Sequence, residues 1–249
     1  MRGLPMMAMG ITMVMRMTMD IIMADDALYR LMTWLSPSYP VGAFCHSGGL
    51  EWAVEARWVT DRASMLSWIE TWLDHGSGWN DIVLFTHAWR AAAAQSRERL
   101  DAVAALAEVA HSSAERRLEQ LSQGSAFRRV ALDSGAAPAF FVSANGEMSY
   151  PVAVAAMAAG HAIDFSAGLT AFIHAAAGNL VSAAQRLVPL GQTDAQIIFE
   201  GLRPAVAATV ARAAALEDGD PFDALGGACL LADLASILHE TQYTRLFRT

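Results

Sequence analysis

Beyond residue 24, apolar positions recur every three or four residues along most of the chain, the spacing of helices buried on one side. Leu28, Leu31, Met32 and Leu35 make the first stripe, and Asp25 and Asp26 stand where that helix would begin. The stretch 36–52, SPSYPVGAFCHSGGLEW, breaks the pattern. Pro37 and Pro40 fix φ and remove two backbone donors. Gly42, Gly48 and Gly49 admit conformations that other residues resist. Helix is expected again over 48–57, with Ser47 as its cap and Glu51 near its positive end. Thr60 is the expected cap of the next helix, whose apolar side is Met65, Leu66, Ile69, Trp72 and Leu73. Residues 80–95, 97–110 and 113–133 continue the helical pattern, followed by breaks at Gly135 and Pro138 and a turn at Asn145-Gly146.

The second half has smaller side chains. Helices are expected over 151–163, 166–187, 192–217 with a kink at Pro204, and 222–240. In the last of these, Leu225, Leu230, Leu231, Leu234 and Leu238 are expected inside. Helix 166–187 carries a large apolar stripe beside a small-residue face of Ala167, Ala171, Ala175, Gly178 and Ser182. Residues 165–184 hold no charge, yet His174, Asn179, Ser166, Thr170 and Ser182 are polar and alanine fills much of the rest. A central helix enclosed by its neighbours accounts for this better than a membrane span, and His174 is expected to be a hydrogen-bonded core residue. No period-2 run, hairpin or repeat appears. The fold expected is all-α, a single compact bundle of roughly ten helices, with residues 25–249 forming one domain that ends in a tail, 240–249.

Composition changes this picture in two places. The hydrophobic share is 54% and the charged share 17%, but alanine supplies much of the former, which favours close-packed helices. Nine of the 13 methionines lie within residues 1–24. Arg16 and Asp20 interrupt that run, and no small-residue cleavage site follows it. It is read as a flexible extension outside the fold. The net charge of −8 opposes binding to nucleic acid. Cys45 and Cys229 form no C-x-x-C pair and no disulfide framework, which fits a reducing cytoplasm.

Catalytic templates are missing. The chain has no P-loop, no G-x-S-x-G elbow, no H-E-x-x-H helix and no carboxylate pair suited to acid–base work. No two histidines stand four apart. Cys45 beside His46 is the best metal candidate, since thiolate and imidazole both suit nickel, zinc and copper. Adjacent residues on an extended loop point apart, so this pair needs further ligands, which a second copy of the loop could bring. Read plainly, Cys45 is a small buried hydrophobe and His46 a loop hydrogen-bonder.

Two other segments stand out. In Gln185-Arg186-Leu187-Val188-Pro189-Leu190-Gly191-Gln192, Arg186 complements the end of a helix dipole. The ending, His239 to Thr249, sets Tyr243, Leu246 and Phe247 beside Arg245 and Arg248, a mixture typical of interface cores. It reads either as a terminus folded back on its own domain or as a tail ordered by a partner.

These segments carry a resemblance. Pro40-Val41-Gly42-Ala43-Phe44, Ser47 and Gly49-Leu50-Glu51 resemble the N-terminal signature of the urease accessory family UreF. Arg186 to Gln192 resembles its R-x-x-P-L-G-Q pattern. Glu240, then Tyr243, then Arg245-Leu246-Phe247 resemble its ending. The likeness spans about Leu28 to Thr249, with the motifs in family order. It implies an all-α, cytoplasmic homodimer without catalysis of its own and without a resident cofactor. It also implies a partner role: joining UreD (also called UreH), recruiting the GTPase UreG, and assisting nickel delivery to apo-urease. The residues it marks for partner binding are Phe44, Glu51, Arg186, Gln192, Glu240, Tyr243, Arg245, Leu246 and Phe247. A direct nickel carrier using Cys45 and His46 is the rival. The chain departs from the family pattern at Cys45-His46, where serine and an aromatic are common. It also lacks an arginine after Gly124 and ends in Thr249 rather than serine. Removing residues 240–249 is expected to leave the fold intact and abolish UreD binding.

Overall fold

A computed structural model describes residues 26–144, 146–226 and 229–249. The methionine-rich stretch 1–24 and the Asn145 half of the expected turn lie outside the described residues. Among the described residues eleven α-helices follow one another: α1 (26–34), α2 (Leu50–Glu55), α3 (Arg62–His75), α4 (Ser77–Ala93), α5 (Arg97–Val109), α6 (Ala114–Asp133), α7 (Ala139–Val142), α8 (Tyr150–Gly160), α9 (Phe165–Leu187), α10 (Gln192–Ala214) and α11 (Leu230–His239). Two 3-10 turns, Ala43–Cys45 and Pro221–Ala224, complete the set, and no strand occurs among the described residues. The all-α expectation holds.

The bundle is built around α8. All nine residues from Tyr150 to Ala158 are buried, so this helix is apolar on every side and must be sheathed. Helices α4 and α6 do most of the sheathing. Its alanines allow close approach, and Gly124 of α6 completes the fit. A Cβ at Gly124 would lie 1.9 Å from the Met148 carbonyl oxygen. Phe85, Phe127, Phe172 and Tyr150 fill the space around this contact in tilted and edge-on pairs.

Helix ends follow local chemistry, with two departures from expectation. Asp61, not Thr60, caps α3, its carboxylate accepting the Ser64 amide at 2.9 Å while Ser64 reaches back. Gly49, not Ser47, stands at the cap of α2. The Ser47 hydroxyl still reaches the helix, accepting the Glu51 amide at 3.4 Å, and is itself donated to the Thr249 oxygen at 3.0 Å.

Three packing expectations are corrected. Helix α9 is not enclosed: only half of its most apolar stretch is buried. Its Leu169, Phe172, Ile173 and Leu180 face inward, while Ser166, Ala167 and Thr170 border an open groove against α1 and α10. His174 is exposed in that groove and stacks on Phe199 with ring centroids 5.0 Å apart, so it is not a core residue. Helix α11 starts at Leu230 rather than 222, and three of the five leucines expected inside point outward, while Leu225 and Leu238 are half-buried. Leu230, Leu231 and Leu234 are exposed, and Ala232, Ala235 and Ser236 are buried. The cause lies in α2. A Cβ at Gly49 would meet the Ser236 amide nitrogen at 2.6 Å, so the two backbones nearly touch. Only small residues fit such a contact, and these three leucines are turned to the outside.

Candidate functional site

The fold brings the three segments singled out in the sequence to one place. Gly42, in the left-handed region at φ 78°, turns the chain into the 3-10 turn Ala43–Cys45 and presents Phe44, which is 67% exposed. The end of α9 delivers Arg186. Its guanidinium lies 3.8 Å from the Phe44 ring centroid and 4.1 Å from that of Phe247. A cation between two aromatic faces links loop, helix end and tail. Each contact is worth about 0.5–2 kcal/mol, rising as water is excluded. Burial lowers the proton affinity of this guanidinium below that of an ordinary arginine, and its Nε is donated to the Ser182 carbonyl at 3.2 Å.

The end of the tail runs along the loop and is fastened at several points. The Arg248 amide donates to the Cys45 carbonyl at 2.8 Å, and the Ser47 amide to the Thr249 oxygen at 2.6 Å. His46 Nδ1 lies 2.6 Å from Thr249 Oγ1. Asn179 of α9 holds the loop from beneath, donating to the His46 carbonyl at 3.1 Å. Glu51 is buried and accepts the Leu246 amide at 2.6 Å and the Phe247 amide at 2.9 Å. Glu115 of α6 accepts Arg245 Nη1 at 2.6 Å. Glu240 caps α6 by accepting the Ala114 amide at 2.9 Å.

The residues marked for partner binding thus divide by position. Phe44, Tyr243 and Leu246 are exposed. Glu51 and Phe247 are buried inside their own chain. Arg186 and Arg245 are shared between surface and interior. Gln192 opens α10 on the surface, with no hydrogen bond to the loop or tail among the described residues. The tail is a folded part of the domain in the isolated chain. Its removal would uncover the Phe247 pocket and strand the Glu51 carboxylate, so the expectation of an intact fold on truncation is set aside.

Cys45 is exposed, not a buried hydrophobe, and its thiol is donated to the Gly42 carbonyl at 3.0 Å. His46 turns inward, where burial lowers its proton affinity below the ordinary histidine value. The two therefore face different ways, as adjacent loop residues do. No group of three or more His, Cys, Asp or Glu able to hold a metal occurs among the described residues.

Beneath the loop lies a cluster that the sequence analysis missed. Arg116 of α6 is buried and bonds Glu119 at 2.7 Å and Asp81 of α4 at 3.2 Å, while Gln120 donates to the same Asp81 oxygen at 2.8 Å. A Cβ at Gly48 would lie 3.4 Å from Arg116 Nη1, so the loop rests on this cluster. An aspartate in the middle of an apolar α4 was the available signal. Burial pushes the Asp81 carboxyl up to about 7, more than Arg116 pulls it down. The fold thus holds the proton more tightly than the unfolded chain. Asp81 therefore contributes most below about pH 4, and its contribution is lost as pH rises toward about 7. Asp81→Asn should remove this component, worth a few kcal/mol by the size of the shift. Urea melts at several pH values check it: parallel curves for wild type and variant would contradict the assignment.

Comparison of the sequence with known proteins identifies its relatives. The family model UreF matches residues 59–203. The urease accessory protein UreF of Rhodopseudomonas palustris strain BisA53 is 50% identical over 226 residues, covering 90% of this chain and 93% of its own. The protein of the same description from Bradyrhizobium diazoefficiens strain USDA 110 is 48% identical over 226 residues, 90% of this chain and 92% of its own. The all-helical bundle and the meeting of loop, α9 end and tail are features of a chain that belongs to the UreF family of urease accessory proteins.

Proposed function

We infer that this chain is a non-catalytic scaffold of urease maturation in the cytoplasm. It joins UreD (UreH), and the pair recruits the GTPase UreG and assists nickel delivery to apo-urease. One observation carries this reading: the segment from α11 through the tail gathers six exposed large apolar residues, Leu230, Leu231, Leu234, Ile237, Tyr243 and Leu246. Large exposed apolar groups gathered in one segment mark an interaction surface. Phe44, stacked on Arg186, supplies a further aromatic beside the tail. We assign UreD to this surface.

Because Tyr243 and Leu246 have side chains in solvent, they can be removed without disturbing the monomer. Tyr243→Ala with Leu246→Ala should leave the urea melt within about 0.5 kcal/mol of wild type. The same pair should weaken UreD binding at least tenfold, as anchors in an interface centre do. Unchanged capture of UreD by the folded double variant would remove the tail from the interface.

Self-association fits a second surface. Tyr29 and Met32 stand exposed on α1 beside the apolar groove formed with α9 and α10, so one face offers both a ridge and a slot, as a two-fold dimer requires. Met32→Glu should shift the protein from dimer to monomer in sedimentation, and a monomeric wild type would dismiss the assignment. The rival reading, a direct nickel carrier, is favoured by the exposed Cys45 thiol and disfavoured by the inward His46. Equilibrium dialysis of wild type against Cys45→Ala separates the two readings, since the carrier requires Cys45 for nickel uptake.

A further inference from the structure

The tail is fastened through a histidine. His239 is the last residue of α11, one position before the tail, and its side chain is 0% exposed. Nδ1 lies 2.6 Å from Glu115 Oε2, and Nε2 lies 3.1 Å from Glu51 Oε2. The same two carboxylates hold the tail. Glu51 accepts the Leu246 and Phe247 amides, and Glu115 accepts Arg245. Ring and tail therefore share both anchor points.

An ionised carboxylate can only accept hydrogen bonds, so each ring nitrogen that faces one must carry a proton. With carboxylates at both nitrogens, the closed arrangement calls for the doubly protonated ring. The charges agree. The groups facing the ring are Glu51 from α2, Glu115 from α6 and Arg245 from the tail, whose Nη1 also approaches the His239 carbonyl at 3.5 Å. Glu240, on the ring's own side, is turned away to the Ala114 amide. Two carboxylates and one guanidinium leave a single negative charge, which an imidazolium cancels. A neutral ring would set a lone pair against a carboxylate oxygen, and one of the two ring contacts would turn from attraction to repulsion.

We propose that His239 is a proton-operated latch on the C-terminal strap. The protonated ring holds residues 240–249 closed over α2 and α6, and loss of one proton releases them. The closed strap binds one proton more than the open one, so closure weakens as pH rises. On the reading that the tail docks a partner, a partner that needs the open strap binds better at higher pH.

The test uses the isolated chain, so its outcome does not depend on whether the tail meets UreD. Protection of the Leu246 and Phe247 amides is measured by hydrogen exchange from about pH 5 to about pH 9 and corrected for the intrinsic exchange rate. Over the pH interval in which opening releases the proton, wild-type protection should fall by up to about tenfold per pH unit, the slope of one linked proton. In His239→Gln, whose side chain has no proton to lose, protection should be low and flat. Flat protection in wild type, or the same fall in both proteins, overturns the proposal. The ring nitrogens of wild-type His239, followed by nitrogen-15 NMR, give a second readout that needs no variant. Two protonated nitrogens in the closed state support the latch, and one unprotonated nitrogen there refutes it. Failure of the Tyr243 and Leu246 variants to lose UreD would refute docking by the tail and leave this result standing.

Discussion

Gly124→Ala should destabilise the fold by at least about 3 kcal/mol, at the upper end of what overpacking does. The added Cβ would sit 1.9 Å from the Met148 carbonyl oxygen, 2.7 Å from the Ser149 carbonyl carbon and 2.8 Å from the Tyr150 nitrogen. All three are backbone atoms at the head of α8, so no side chain can swing aside. Either α6 and α8 separate, opening the centre of the core, or the start of α8 unwinds. Gly135 is the control. Its φ is +69° with nothing within 4 Å of a Cβ, so alanine there carries only the left-handed backbone penalty, roughly 1–2 kcal/mol. Urea melts of the two variants check the contrast, and a Gly124→Ala protein as stable as wild type would show that α6 and α8 do not meet as described.

Glu51→Ala should have the second-largest effect, about 3 kcal/mol, and it should act on the tail first. The Leu246 and Phe247 amides and the His239 ring all lose an acceptor. A buried donor left without a partner costs about 1–3 kcal/mol, so three such losses outweigh any gain from shedding a buried charge. With the tail loosened, Phe247 leaves its pocket and its contact with Arg186 is broken. Trypsin should then cut after Arg245 and Arg248 much faster than in wild type. Equal cleavage rates would mean that Glu51 does not hold the tail.

Much of the bundle was legible because each helix repeats its apolar residues at helical spacing and stops at a proline, glycine or cap. Met65, Ile69, Trp72 and Leu73 behave as their spacing requires. The reading failed where burial is decided between segments rather than within one. Nothing in α11 states that its small residues, not its leucines, face α2. That follows from the close approach of Gly49 to Ser236, which lie far apart in sequence. His174 looks like a core residue on an apolar helix until the groove beside α9 is seen. Asp81 stands out within apolar α4, but its partner Arg116 lies 35 positions away, so the pairing could not be read.

The site was legible in part. Phe44, Arg186 and Phe247 were each marked by resemblance, but their stacking could not be read, since three remote segments have to fold before one cation lies between two rings. Sequence alone also left two readings of the tail open, free or folded back. The fastenings at Glu51, Glu115 and Ser47 select the second for the isolated chain.

Hydrogen exchange of this chain, alone and saturated with UreD, tests the central claim that the loop and the C-terminal segment form the docking face. Residues 42–47 and 230–246 should exchange more slowly in the complex, with the exposed leucines of α11 and Tyr243 covered. Unchanged exchange in both segments, with protection confined to the groove of α1 and α10, would contradict it.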